Sequence, residues 1–154
     1  MDKFQTKAGT ATVGNIGKLD EQITGDQVKY FLHDFLGLTG MEVSVTGYPP
    51  NHSFHLFHSH KENEELYIVT KGEGEMQLGD EIFPITEGTV IRIEPNVVRN
   101  LRSSPTSGLQ FVCVQARMNS LKQLKSDATF WEGQFAKKDQ RYTQTKNPFE
   151  EIRK

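Results

Sequence analysis

Hydrophobic and polar positions follow different patterns on the two sides of residue 41. Upstream, apolar residues in the segment DQVKYFLHDFL recur at helical spacing, although a strand is also compatible with this segment. Downstream, short apolar stretches alternate with turns rich in Gly, Pro and Asn: MEVSVTGY, SFHLFHSH, ELYIVT, GEMQLGD, EIFPI, TVIRIE, VVRNLR and GLQFVCVQAR. About eight short strands within about 75 residues predict an all-β fold, either a barrel or a double-sheet jelly roll.

This change of pattern divides the chain into three parts. Residues 1–40 are predicted to be an N-terminal arm, residues 41–117 the barrel and residues 118–154 a polar C-terminal extension. In the extension, Ser120-x-x-Gln123 could cap a short helix, and the end of the chain is expected to fray. The extension is polar apart from four aromatic residues, some of which are expected to dock on the barrel: Phe130, Trp131, Phe135 and Phe149.

Composition and charge narrow the class of protein. A chain of 154 residues suits one domain, and a net charge of −2 gives no general attraction to nucleic acid or anionic membranes. No stretch reaches the roughly 20 apolar residues that span a bilayer, and the N-terminus lacks the apolar core of a signal peptide. Cys113 is the only cysteine, so no intrachain disulfide is possible. We therefore expect a cytoplasmic protein with neither nucleic-acid nor membrane partners.

Candidate chemistry concentrates in the stretch HSHKENEELYIVTKGEGEM, residues 58–76. Residues two apart on a strand point to the same face, so His58 and His60 are predicted to project together, with Phe54 and Leu56. After the turn KENE, Glu65 is predicted to open the next strand, paired antiparallel with the first. Two imidazoles and a carboxylate form the ligand set of an open metal site. By spacing alone, however, an HxH pair on a strand is more often a surface or satisfied core pair, and a Glu after a turn is usually solvated.

The same stretch resembles the first sequence motif of the cupin superfamily. In that motif, HxH is followed by three or four residues, a Glu, six residues and a Gly, which corresponds here to His58, His60, Glu65 and Gly72. The resemblance extends over roughly residues 41–116. It implies the cupin double-stranded β-helix, a jelly-roll barrel, with an N-terminal arm and a short helical or irregular C-terminal tail. It also implies that His58, His60 and Glu65 are metal ligands.

The second cupin motif, in EGTVIRIEPNVVRNLRS, departs from the family pattern, because Arg99 stands where the fourth ligand, a His, is usual. A guanidinium cannot ligate a cation. Arg99 could replace the metal by pairing with Glu65, or it could sit beside a three-ligand metal and hold an anionic substrate. We favour retention of the metal, a divalent transition ion (Fe, Mn, Ni, Cu or Zn), because His58, His60 and Glu65 are all present.

Other residues are weaker candidates. Tyr67 shares a face with Glu65 and could offer a hydroxyl to a ligand, although a place in the barrel wall is an alternative. His52 is a substitute fourth ligand, whereas His55 should face away from the cavity. Cys113 fits a small core residue better than a nucleophile.

Two functions are compatible with these features. The first is a small metalloenzyme, oxygenase-like or isomerase-like, that acts on a small anionic molecule anchored by Arg99, with no catalytic acid or base identifiable. The second is a non-catalytic cupin that binds a small ligand, with or without metal. Cupins that resemble this chain usually form dimers through their N-terminal strands, so we also expect a homodimer.

Overall fold

The computed structural model describes residues 4–8, 11–18, 28–123 and 126–129. The chain divides into two units, Met1–Lys122 and Gln123–Lys154, and every element below lies in the first. In chain order the elements are β1 (Phe4–Ala8), β2 (Ala11–Asn15), β3 (Val28–Phe31), α1 (Leu32–Leu36), β4 (Glu42–Tyr48), β5 (Asn63–Leu78), β6 (Glu81–Thr86), β7 (Val90–Ile93), β8 (Arg99–Ser103) and β9 (Leu109–Arg117). The predicted all-β class is therefore confirmed.

The long strand β5 belongs to two sheets. Its first half pairs with β9 on one side and with β7 on the other, in a sheet that continues through β4 to β3. Its second half pairs with β6 and β8. All of these pairings are antiparallel, and β1 pairs with β2 in a separate hairpin. One strand thus connects the two layers of a double-sheet barrel.

Two glycines allow β5 to pass from one sheet to the other. Gly72 has φ +77°, and a Cβ at this position would collide with the carbonyl oxygen of Gly108. A Cβ at Gly74 would collide in the same way with the carbonyl oxygen of Arg102 on β8. The segment KGEG therefore lies inside a continuous strand, and the close approach of neighbouring backbones excludes a side chain at its two glycine positions.

The interior face of β5 carries both the core and the polar candidates. Glu65, Tyr67 and Val69 are all buried, as the two-residue period predicts. The ring of Tyr67 lies 5.6 Å from that of Phe111 on β9, between ring centroids. Cys113, next to Phe111 on the same face, is also buried. The hydrophobic core therefore includes residues on the same face of β5 as Glu65.

Three local predictions meet different outcomes. The segment 28–36, for which helix and strand were both compatible, contains a short strand followed by a short helix. The predicted strand at SFHLFHSH is wrong, because residues 53–60 make only two isolated bridges. Residues 120–123, where a helix could have begun, are irregular.

The C-terminal aromatic residues, from Phe130 onward, lie outside the described residues. Within the part of the chain that the structure describes, no helix has the length and apolar character needed to cross a bilayer.

Gly74→Ala should destabilise the barrel by about 1–3 kcal/mol, because the added methyl group must displace the backbone of β8. Gly40→Ala is the matched control: among the described residues no atom would lie within 4 Å of the added methyl group, so its effect should stay within about 0.5 kcal/mol. Urea denaturation of both variants measures the difference. Equal free energies of unfolding would show that β5 tolerates a side chain at this crossing.

Candidate metal centre

The segment that carries the histidines is held against β8 rather than against β5. His58 and Arg99 exchange backbone hydrogen bonds, with His58 N donating over 3.3 Å and Arg99 N over 3.0 Å. The Asn100 side chain donates to the carbonyl oxygen of Phe54 at 2.8 Å. The amide of Asn96 donates to the carbonyl oxygen of His60 at 2.7 Å. The prediction that this segment pairs antiparallel with the strand of Glu65 is therefore wrong.

His58, His60 and Glu65 nevertheless come together. One ligand atom from each lies within 4.8 Å of the others, with Glu65 buried, His60 partly buried and His58 exposed. His60 Nε2 and Glu65 Oε1 are 2.9 Å apart. The two imidazole rings stand nearly perpendicular, with centroids 5.7 Å apart. Leu56, predicted to share their face, is exposed to solvent.

Arg99 fills the interior beside this cluster. It opens β8 opposite Leu78, yet its side chain is only 1% exposed and its Nη2 forms a close ion pair with Glu65 Oε2. Arg99 Nη1 donates to the carbonyl oxygen of His58 at 3.2 Å. The guanidinium thus has Glu65 as its one anionic partner among the described residues.

The donor set fits a divalent transition metal in type and spacing. Neighbouring ligands of an ion bound at about 2.1 Å lie about 3.0 Å apart in octahedral and about 3.4 Å apart in tetrahedral coordination, so the 2.9 Å between His60 and Glu65 is close to the octahedral spacing. His58 is exposed, so its imidazole can shift toward the other two. The Arg99 guanidinium works against the metal, because it already neutralises Glu65. The three ligands are therefore suitable for a divalent transition metal, whereas the positive charge of Arg99 beside them disfavours it.

Burial changes the protonation of the groups around Glu65. Although His58 as a whole residue is exposed, partial desolvation of its imidazole, and next the positive charge of Arg99, lower the pKa of His58, which favours the neutral imidazole that binds metals. Burial raises the pKa of the Tyr67 phenol well above its usual range. Burial, reinforced by Glu65, raises the pKa of the Cys113 thiol to about 12. Tyr67 and Cys113 are thus protonated at neutral pH, and Cys113 is no nucleophile.

The remaining residues singled out in the sequence differ in whether they contact the cluster of His58, His60 and Glu65. Tyr67 is buried in the barrel wall two residues from Glu65. Cys113, which was assigned only to the core, has its Sγ 3.7 Å from Glu65 Oε1. This contact depends on the register of β5 against β9, which the sequence pattern does not specify. His52 packs edge-to-face on Tyr48, with centroids 4.7 Å apart, and does not belong to the cluster. The exposed His55 contacts Phe54 instead.

Comparisons with known proteins agree with this architecture. The family model of the cupin domain matches residues 44–115. A cupin protein from Bacteroides fragilis is 31% identical, with a TM-score of 0.65, over 71% of this chain and 93% of that chain. A cupin-like protein from Thermotoga maritima is 28% identical, with a TM-score of 0.53, over 62% of this chain and 71% of that chain.

A conserved protein with a double-stranded β-helix domain, from Klebsiella pneumoniae, has the same fold at 22% identity, with a TM-score of 0.56, over 68% of this chain and 90% of that chain. The comparison with curated proteins gave no match. The chain belongs to the cupin superfamily, and its barrel is the double-stranded β-helix that the sequence predicted.

Glu65→Gln should lower the free energy of unfolding of the metal-free protein by about 3–5 kcal/mol, because it leaves the Arg99 charge buried without an anion. Glu75→Gln is the control, since Glu75 pairs with Arg102 at the surface, where the two side chains are 42% and 62% exposed. That loss should stay below about 1 kcal/mol. Thermal or urea unfolding measures both, and similar losses would show that the buried pair does not stabilise the barrel.

Proposed function

We propose that this protein is a small metal-dependent enzyme, oxygenase-like or isomerase-like, that acts on a small anionic molecule in the barrel. The observation that supports it best is the convergence of His58, His60 and Glu65 beside the buried guanidinium of Arg99. Three ligands leave coordination positions open for a substrate. A guanidinium next to them offers a planar partner for a carboxylate or a phosphate.

The roles of the side chains follow from their burial. His58, His60 and Glu65 would hold the ion, which when bound supplies a Lewis acid for a substrate oxygen. Arg99 would anchor the anionic group. Tyr67 and Cys113, whose raised pKa values keep them protonated well above neutral pH, would act as hydrogen-bond donors in the wall rather than as bases. The exposed His58 marks the side of the cluster that faces solvent.

Metal binding provides the first test. The wild-type protein should bind about one equivalent of Fe, Mn, Ni, Cu or Zn, and His58→Ala and His60→Ala should each reduce the affinity by at least about tenfold. His55→Ala is the matched control, because His55 is exposed and lies outside the cluster. Isothermal titration calorimetry on the untagged protein gives the affinities. Unchanged metal affinity in both His58→Ala and His60→Ala would show that the metal site lies elsewhere in the protein.

A second candidate function is metal-free binding of a small ligand without catalysis. The Arg99–Glu65 ion pair favours it, since the site is already neutralised without a metal. The homodimer and the cytoplasmic location expected from the sequence remain predictions. Light scattering on the purified protein would measure its oligomeric state.

Turnover separates the two functions. We expect the metal-loaded protein to convert at least one member of a panel of small carboxylates and sugar phosphates, with His60→Ala reducing the rate by at least about a hundredfold. Oxygen uptake identifies an oxygenase, and NMR of the products identifies an isomerase. Ligand binding without turnover by any metal-loaded form would favour the second function.

A further inference from the structure

The ion pair between Arg99 and Glu65 links two binding events in the cluster. We propose that it makes metal loading depend on an anion, so that a divalent metal and an anionic ligand bind as a pair and each raises the affinity for the other. This inference rests on the proposed function, because it concerns the regulation of the same site.

The starting point is the charge of the cluster. Glu65 carries one negative charge, Arg99 carries one positive charge, and both side chains are buried, at 4% and 1% exposure. The site is therefore close to neutral without an ion. A divalent metal would give it two uncompensated positive charges in a largely desolvated space, which is unfavourable.

Arg99 has little else with which to pair. Its Nη1 donates to the carbonyl oxygens of His58, at 3.2 Å, and of Val97, at 3.5 Å, whereas Nε has no hydrogen-bond partner in the described part of the chain. Carbonyl dipoles can orient a guanidinium but cannot neutralise it. Any loss of Glu65 to a metal therefore leaves a buried cation.

The two oxygens of Glu65 allow two arrangements. The ion could take Oε1, which faces His60, while Oε2 stays on Arg99. Alternatively the ion could take both oxygens and displace the guanidinium. In the first case two cationic centres share one carboxylate, and in the second Arg99 is unpaired. Both arrangements disfavour the metal until another negative group arrives.

An anion placed between the metal and Arg99 gives each of these two positive centres a negatively charged partner. It occupies a coordination position left open by the three ligands and gives the guanidinium a new partner. Because the metal-loaded site carries two positive charges, a dianion compensates it better than a monoanion. Without metal, the same anion would have to compete with Glu65 for Arg99 and would bind weakly. The coupling must be reciprocal, since it is a property of the ternary complex.

The experiment titrates Co²⁺ into the wild-type protein near pH 7.5, in sodium chloride alone, in acetate and in sulfate, at constant ionic strength. Calorimetry gives the affinity, and the visible spectrum of Co²⁺ reports its coordination. We expect sulfate to raise the Co²⁺ affinity by about tenfold or more, and acetate to raise it less. Sulfate affinity, measured with and without Co²⁺, should change by the same factor.

Two substitutions at Arg99 separate charge from structure. Arg99→Gln removes the charge, so it should bind Co²⁺ about tenfold more tightly in chloride alone and should respond to sulfate by less than about threefold. Arg99→Lys keeps the charge, so it should retain weak Co²⁺ binding and a clear sulfate effect. Circular dichroism checks the fold of both variants. If Arg99→Gln does not fold, the wild-type protein and Arg99→Lys still test the anion effect.

The outcomes distinguish the two proposals. Tight Co²⁺ binding to the wild-type protein, with no effect of sulfate and no change in Arg99→Gln, would overturn the coupling and leave the metal site intact. Absence of Co²⁺ binding in every protein and every anion would overturn the proposed function and the coupling with it. A sulfate effect of equal size in Arg99→Gln would assign the coupling to the metal alone and remove Arg99 from it.

Discussion

The architecture depends on one constraint: β5 must pair on both of its edges in both sheets. Its first half is enclosed by β9 and β7, and its second half by β6 and β8. The backbones approach so closely at Gly72 and Gly74 that no side chain fits. Everything that forms the candidate site is positioned relative to this strand, since Glu65 lies on it and Arg99 begins a strand that pairs with it.

The site is built from two different kinds of support. Glu65 is held by a regular strand, whereas His58 and His60 lie in an irregular segment attached to β8 by backbone and Asn100 hydrogen bonds. Arg99 contacts both parts, through its ion pair with Glu65 and its donation to His58. The same residue that opposes a metal electrostatically therefore also connects the two halves of its ligand set.

The sequence was sufficient for the fold class and for the members of the cluster, because residue type and spacing agree over the HxH and Glu pattern. The sequence was not sufficient to predict which segments form strands or how those strands pair. The segment around Phe54 has the apolar content of a strand but takes its hydrogen bonds from side chains and isolated bridges. The stretches ELYIVT and GEMQLGD, separate in the sequence pattern, form one continuous strand, β5, because the glycines between them mark a close strand crossing and not a turn. The sequence left open whether Arg99 pairs with Glu65 or holds an anionic substrate, because its position depends on how β8 pairs with β5.

The gradient of burial across the ligand set has a kinetic consequence. His58 is exposed, His60 is intermediate and Glu65 is buried. An ion that enters from solvent would meet an imidazole first and the carboxylate last, and it would release its hydration water one ligand at a time. Such stepwise dehydration avoids a single high barrier for entry and equally for escape. A cation held there would therefore exchange with the surrounding medium, so the site would fill and empty as the concentrations of free metal and of a suitable anion change.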